Sequence, residues 1–187
     1  RKGHHYLTLV NDLARSRVLY VAEGRQQGSL DGFWETLTPE QLEGIEAVAM
    51  DMWDPYVSSV KEHLPGAEGK IVFDKFHVAK HLGEAVDQVR RKENKTLKAA
   101  GDDRLAGTRY DWLRNPVAME RKDRREFGEL RKSGLKTARA WALKETAMAL
   151  FHYVYERPAR KHFRWWHNWA VRSRLRPMIE VARMLKR

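Results

Sequence analysis

Polar and apolar positions alternate at the start of the chain and then fall into a helical period. His5–Leu13 alternates and is rich in Tyr, Leu, Thr and Val, which predicts a strand. Ala14-Arg15-Ser16 is a polar turn, and Arg17–Glu23 is a second strand, so the two form an antiparallel hairpin ended by Gly24. Gly28–Leu37 reads as a short helix. Thr38-Pro39-Glu40-Gln41 carries a helix start, with Thr as N-cap, Pro in the first turn and Gln three residues on. Glu46–Trp53 is a short apolar run expected to be a buried strand, and Asp54-Pro55 is expected to cap a helix running to about Leu64. Pro65-Gly66 breaks it, and Lys70–Phe73 is a further buried strand.

From His77 the apolar positions Val78, Leu82, Ala85, Val86 and Val89 recur at helical spacing through Arg91. Residues 91–134 are highly charged, with Trp112, Leu113 and Phe127 as anchors. Lys136–Arg157 reads as one long helix, separated by Pro158 from a helix carrying Phe163, Trp166 and Trp169; Arg176-Pro177 opens a last one. The order predicts an α/β part with some parallel pairing, followed by an all-helical part.

Composition narrows the function classes. The apolar runs are too short for a bilayer span, and without cysteine there are no disulfides and no thiolate metal sites. A cytoplasmic, nucleoid-associated location is the expectation. The net charge is +11, and residues 157–187 hold ten Lys/Arg against one acid, Glu180. A field of that sign at one end of the chain points to a polyanionic partner, DNA foremost, with no membrane.

Three places carry candidate chemistry. Asp51 stands near the C-terminal end of an apolar strand, where α/β folds gather ligands. It is either an oxygen ligand for Mg²⁺ or Mn²⁺ or a contributor to the cap of the next helix. Asp74 and His77, three apart at the next strand-to-helix junction, either face one site or serve as an N-cap and a hydrogen-bonded core residue. In Arg164-Trp165-Trp166-His167-Asn168-Trp169 the aromatics interleave with basic residues. Trp165 and Trp169 share a helix face, so they either stack on unpaired bases, with Arg164, Arg172 and Arg174 on phosphates, or fill a helical core. Asp12 reads better as a hairpin-turn residue than as a site acid. The neighbours His4 and His5 point to opposite faces of a strand and do not share a ligand.

The passages Met50-Asp51-Met52-Trp53-Asp54-Pro55-Tyr56, Ile71-Val72-Phe73-Asp74-Lys75-Phe76-His77-Val78 and Glu84–Arg91 closely resemble DDE transposases of the bacterial insertion-sequence ISL-three group. The resemblance implies a ribonuclease-H-like catalytic core over residues 1–91, lacking its first strand, and a helical, basic insertion region over 92–187. It implies that Asp51 is the second of three acids holding two divalent ions, Mg²⁺ or Mn²⁺, and that Asp74 and His77 form the Asp-x-x-His signature following it. The first acid is expected upstream of Arg1 and the third beyond Arg187; Glu145 and Glu180 lack the surroundings of the third. The resemblance thus implies a transposase fragment, inactive alone, whose parent cleaves and joins DNA and works on transposon ends and target DNA, with self-association compatible with that role. The alternative is a non-catalytic DNA-binding or dimerisation module derived from such an enzyme.

Overall fold

The computed structural model describes residues 3, 5–114 and 119–186. His4, paired above with His5, lies outside the described residues. The chain divides into two compact units, Arg1–His77 and Val78–Arg187.

In the first unit, β1 (Leu7–Asp12) pairs antiparallel with β2 (Arg17–Glu23), from Leu7 opposite Glu23 to Asp12 opposite Arg17. The register slips between Val10 and Asn11, where Leu19 of β2 is the extra residue. Asp12 is the turn residue the sequence favoured. Its Oδ1 accepts the backbone N–H groups of Ala14 and Arg15, each at 3.0 Å. That backbone bond from Arg15 leads the causes holding its carboxyl below the usual range.

Helix α1 (Gln27–Trp34) turns Leu30, Phe33 and Trp34 inward. It lies close against β2: a Cβ on Gly32 would stand 2.5 Å from the Tyr20 hydroxyl, so only glycine fits without a shift. Helix α2 (Pro39–Glu43) opens with the expected capping box, in which Thr38 Oγ1 accepts from Gln41 N–H and Gln41 Oε1 accepts from Thr38 N–H.

Strand β3 (Val48–Met50) is shorter than the run Glu46–Trp53 expected. The reason is local: Asp51 takes the Trp53 N–H at 3.1 Å, which turns the chain directly after Met50. Helix α3 (Asp54–His63) then begins on Trp53 as N-cap, so Asp54 is the first helical residue rather than the cap. Gly66, at φ +69°, provides the left-handed step between α3 and the one-turn helix α4 (Ala67–Lys70). Strand β4 (Ile71–Phe73) pairs parallel with β3, Val48 opposite Ile71 and Met50 opposite Phe73.

The parallel pairing the sequence predicts is present. Among the described residues the strands form two separate pairs, β1–β2 and β3–β4. Leu30, Phe33, Trp34, Val60, Leu64 and Ala67 make the core of this unit, with Tyr20, Met50 and Ile71 packed against it. The Trp34 indole donates to Ser59 Oγ at 2.9 Å and Ser59 donates to Asp31 Oδ1 at 2.6 Å, which satisfies three polar groups within that core.

The second unit is helical. Helix α5 (Lys75–Ala99) enters it at Val78 and outruns the expected end at Arg91. The charged middle contains α6 (Arg109–Leu113) and α7 (Arg121–Lys132), anchored by an edge-on aromatic series of Trp112, Phe127 and Trp141 with ring centroids 4.9 and 5.4 Å apart. The single helix expected over Lys136–Arg157 is instead α8 (Lys136–Met148), a 3₁₀ turn over Ala149–His152, and an extended link into α9 (Glu156–Arg172). Pro158 therefore does not separate helices. It sits in the first turn of α9, where a missing N–H removes no helical bond. Helix α10 (Arg176–Met184) follows and buries Met178, Val181 and Ala182. Among the described residues no helix is long and apolar enough to cross a membrane.

Candidate functional site

The parallel register of β3 and β4 brings two of the sequence-selected carboxylates together. Because Met50 stands opposite Phe73, the next residues, Asp51 and Asp74, leave equivalent positions at the carboxyl end of the ladder. The Asp74 N–H donates to Met50 O at 3.0 Å and carries the pairing one step beyond the strands. Backbones so paired run about 4.8 Å apart.

Each aspartate makes the same local turn. Asp51 Oδ1 accepts from Trp53 N–H at 3.1 Å, and Asp74 Oδ1 accepts from Phe76 N–H at 2.9 Å, capping α5. One oxygen of each carboxylate is thereby fixed and the orientation of the other is set. Asp51 is half-buried, Asp74 exposed. His77 Nε2 lies 3.9 Å from Asp74 Oδ2, so the Asp-x-x-His pair meets on the first turn of α5. Both aspartates accept a backbone N–H of the turn that follows them, and both stand at the carboxyl end of the parallel pair. Carboxylate oxygens are the donor type Mg²⁺ and Mn²⁺ prefer. Among the described residues no three His, Cys, Asp or Glu side chains come together as a metal-ion ligand set.

Trp53, whose N–H orients Asp51, also lines a feature the sequence reading missed. A cleft of about 810 Å³ is lined by His5, Tyr6, Glu23, Arg25, Trp53 and Asp54, among others. The exposed Arg25 guanidinium sits 4.1 Å from the Tyr6 ring centroid and 4.3 Å from that of Trp53. The Trp53 indole N–H donates to Arg25 O at 2.7 Å and closes the clamp. No local spacing announces this trio, since its members come from the starts of β1, α1 and α3.

In the second unit, α9 sorts its tryptophans. Trp166 is buried, 1% exposed, and its indole donates to Leu143 O at 2.8 Å. Trp165 is 56% exposed, and its ring centroid lies 5.7 Å from that of the half-buried Trp169. At 100° per residue Lys161, Trp165, Trp169 and Arg172 fall on one stripe of α9. Arg164, Arg172 and Arg174 are all exposed, Arg174 in a left-handed conformation at φ +59° that ends the helix. Glu145 and Glu180 are held in ion pairs with Lys144 and Arg176, at 2.9 and 3.0 Å.

Comparison with known proteins adds a second line of observation. A family model described as transposase, of the ISL3 group, matches residues 1–187. The transposase for insertion sequence element IS1001 of Bordetella parapertussis is 31% identical over 188 residues, covering 99% of this chain and 46% of that protein. The transposase for insertion sequence element IS1557 of Mycobacterium tuberculosis is 27% identical over 210 residues, covering all of this chain and 47% of that protein. The chain thus spans about half the length of the curated relatives it matches. No solved structure matches it significantly. Matched end to end by the family model, and over nearly its full length by insertion-sequence transposases of two bacteria, this chain belongs to the ISL3 transposase family.

Proposed function

We propose that this chain is the part of an insertion-sequence transposase that holds the second metal-binding acid and a basic helical insertion, and that the whole protein cleaves transposon ends and joins them to target DNA. The observation that carries the reading is the placement of Asp51 and Asp74 at equivalent positions on the carboxyl end of the parallel pair β3–β4. On this reading both strand pairs belong to one ribonuclease-H-like sheet over residues 1–91, with the insertion over 92–187. The work is done on DNA in the cytoplasm, at the nucleoid, and self-association of the whole protein is compatible with it.

Asp51 fits a hard divalent cation. Its Oδ1 is oriented by the Trp53 N–H, and Oδ2 stays available to coordinate. Mg²⁺ or Mn²⁺, when bound as a pair, supplies Lewis acidity for an attacking water or 3′-hydroxyl and for the leaving oxygen. Asp51 contributes one ligand set, and two ions need further carboxylates from the whole protein. Asp74 holds the first turn of α5 and keeps His77 next to the site. In α9, Trp165 and Trp169 offer stacking faces to unpaired bases, while Arg164, Arg172 and Arg174 meet phosphates.

The test is Asp51→Asn in the whole transposase, assayed for Mg²⁺-dependent nicking of transposon-end DNA together with end binding. Loss of nicking with binding retained is the expected result. Nicking at the unsubstituted rate removes Asp51 from the metal site. The exposed stripe on α9 favours one second reading, a DNA-binding or dimerisation module without catalysis. Salt-dependent DNA binding by the 187-residue chain that survives Asp51→Ala, together with no Mn²⁺ binding, selects it. Mg²⁺-dependent nicking by the 187-residue chain, abolished by Asp51→Ala, overturns the division of the acids between this chain and the rest.

A further inference from the structure

Metal chemistry at Asp51 does not account for the cleft that Trp53 lines. An exposed arginine normally samples many rotamers, yet Arg25 is held between the rings of Tyr6 and Trp53. Among the described residues no carboxylate forms an ion pair with it. Clamping by its faces leaves the N–H edges of the guanidinium open, and that planar fork matches a phosphate. Glu23 and Asp54 line the same cleft. The Glu23 carboxylate disfavours a bare anion, but it accepts hydrogen bonds from the amino and imino groups on a base edge. The ligand that satisfies all of these together is planar, carries N–H donors and bears one phosphate. The volume lies within the usual range for small-ligand sites, about 300–1,000 Å³.

We propose that the cleft of Tyr6, Arg25 and Trp53 takes one unpaired nucleotide of DNA, adjacent to the phosphate on which Asp51 acts. The base stacks on the exposed ring surface, Arg25 takes the phosphate, and Glu23 reads the base edge. The link to the acid is direct, because the residue whose N–H orients Asp51 is Trp53 itself. A base splayed into this cleft holds its strand at the carboxylate. The inference rests on the transposase reading and deepens it.

The experiment uses the 187-residue chain and two DNA probes: a blunt duplex, and the same duplex with a short single-stranded extension carrying 2-aminopurine. The unsubstituted chain is expected to prefer the extended probe and to quench its 2-aminopurine. Arg25→Ala and Trp53→Leu are each expected to cut that preference by about 10-fold, the scale of one base stack, and to weaken binding of the extended probe more than that of the blunt duplex. Arg25→Lys keeps the charge but not the planar fork, and restores only part of the preference. Trp53→Phe keeps a ring without the bond to Arg25 O and guards against a folding defect, which circular dichroism checks for every variant. A deoxynucleoside monophosphate is expected to compete for the extension, and inorganic phosphate at equal concentration is not. Equal binding of both probes, or a preference that survives Arg25→Ala and Trp53→Leu in folded protein, overturns the cleft proposal and leaves the transposase reading standing. Binding of neither probe removes the DNA-binding reading as well.

Discussion

Replacing Glu93 with alanine tests the connection that seats the basic helix. Helix α8 begins on Leu135, which offers no side-chain cap. Glu93 of α5 does that work from a distance of more than forty residues. Its Oε1 accepts from Lys136 N–H at 2.8 Å, and its Oε2 accepts from Thr137 N–H and from the Thr137 hydroxyl, both at 2.7 Å. The Lys136 amide is exposed, so water replaces the carboxylate there and the loss is that of an ordinary cap, about 1 kcal/mol. Thr137 is fully buried, and leaving donors of a buried residue without a charged acceptor costs about 2 kcal/mol more. Glu93→Ala is therefore expected to destabilise the chain by about 3 kcal/mol. In a urea titration followed by circular dichroism this lowers the midpoint by roughly 1.5 M, for a slope of about 2 kcal/mol per molar. Glu93→Gln keeps one acceptor and is expected to recover part of the loss. A double-mutant cycle with Thr137→Val is expected to show a combined effect smaller than the two singles added. A cost for Glu93→Ala below about 0.5 kcal/mol would refute the reasoning. The consequence reaches function, because α8 holds α9 through Leu143 O and the Trp166 indole.

Three further outcomes are expected. Ser59→Ala removes the oxygen that joins Trp34 Nε1 to Asp31 Oδ1, and should lower stability by about 2 kcal/mol in the same urea titration, against a near-zero change if the network is incidental. The two neighbouring tryptophans should separate: Trp166→Ala costs about 3–5 kcal/mol, whereas Trp165→Ala changes stability by under about 0.5 kcal/mol and weakens binding of single-stranded DNA in an anisotropy titration. The His167 imidazole is held below its usual range, first by burial and then by Lys186, and its Nε2 is buried with no hydrogen-bond partner among the described residues. The unfolded chain then binds the proton more readily, so this stability is present above about pH 6.5 and is lost as the pH falls below it. Thermal melts of His167→Phe should show a flatter acid slope between neutrality and pH 5 than the unsubstituted chain, and equal slopes would contradict that assignment.

How much of this was legible in advance depends on range. Alternation over a few residues gave the hairpin, with Arg17–Glu23 falling where it was expected. Cap chemistry over four residues gave the start of α2 at Thr38 and Gln41. Apolar runs ending in aspartate placed Asp51 and Asp74 at strand ends, and helical spacing put Trp165 and Trp169 on one face and Trp166 on another. These are properties of neighbouring residues, fixed by backbone geometry before anything packs. The same local reading overran β3 and ran α8 on to Arg157, because the Asp51 turn and the 3₁₀ turn at Ala149–His152 interrupt runs whose composition does not change there.

Tertiary structure alone decided the rest. It set the parallel register that makes Asp51 and Asp74 neighbours, and it chose which tryptophan of α9 goes inside. It also assembled the Tyr6–Arg25–Trp53 clamp and carried Glu93 to the start of α8. Periodicity shows that a side of an element is apolar. It does not say which other element covers that side, and contacts between residues far apart in the chain follow only from that choice.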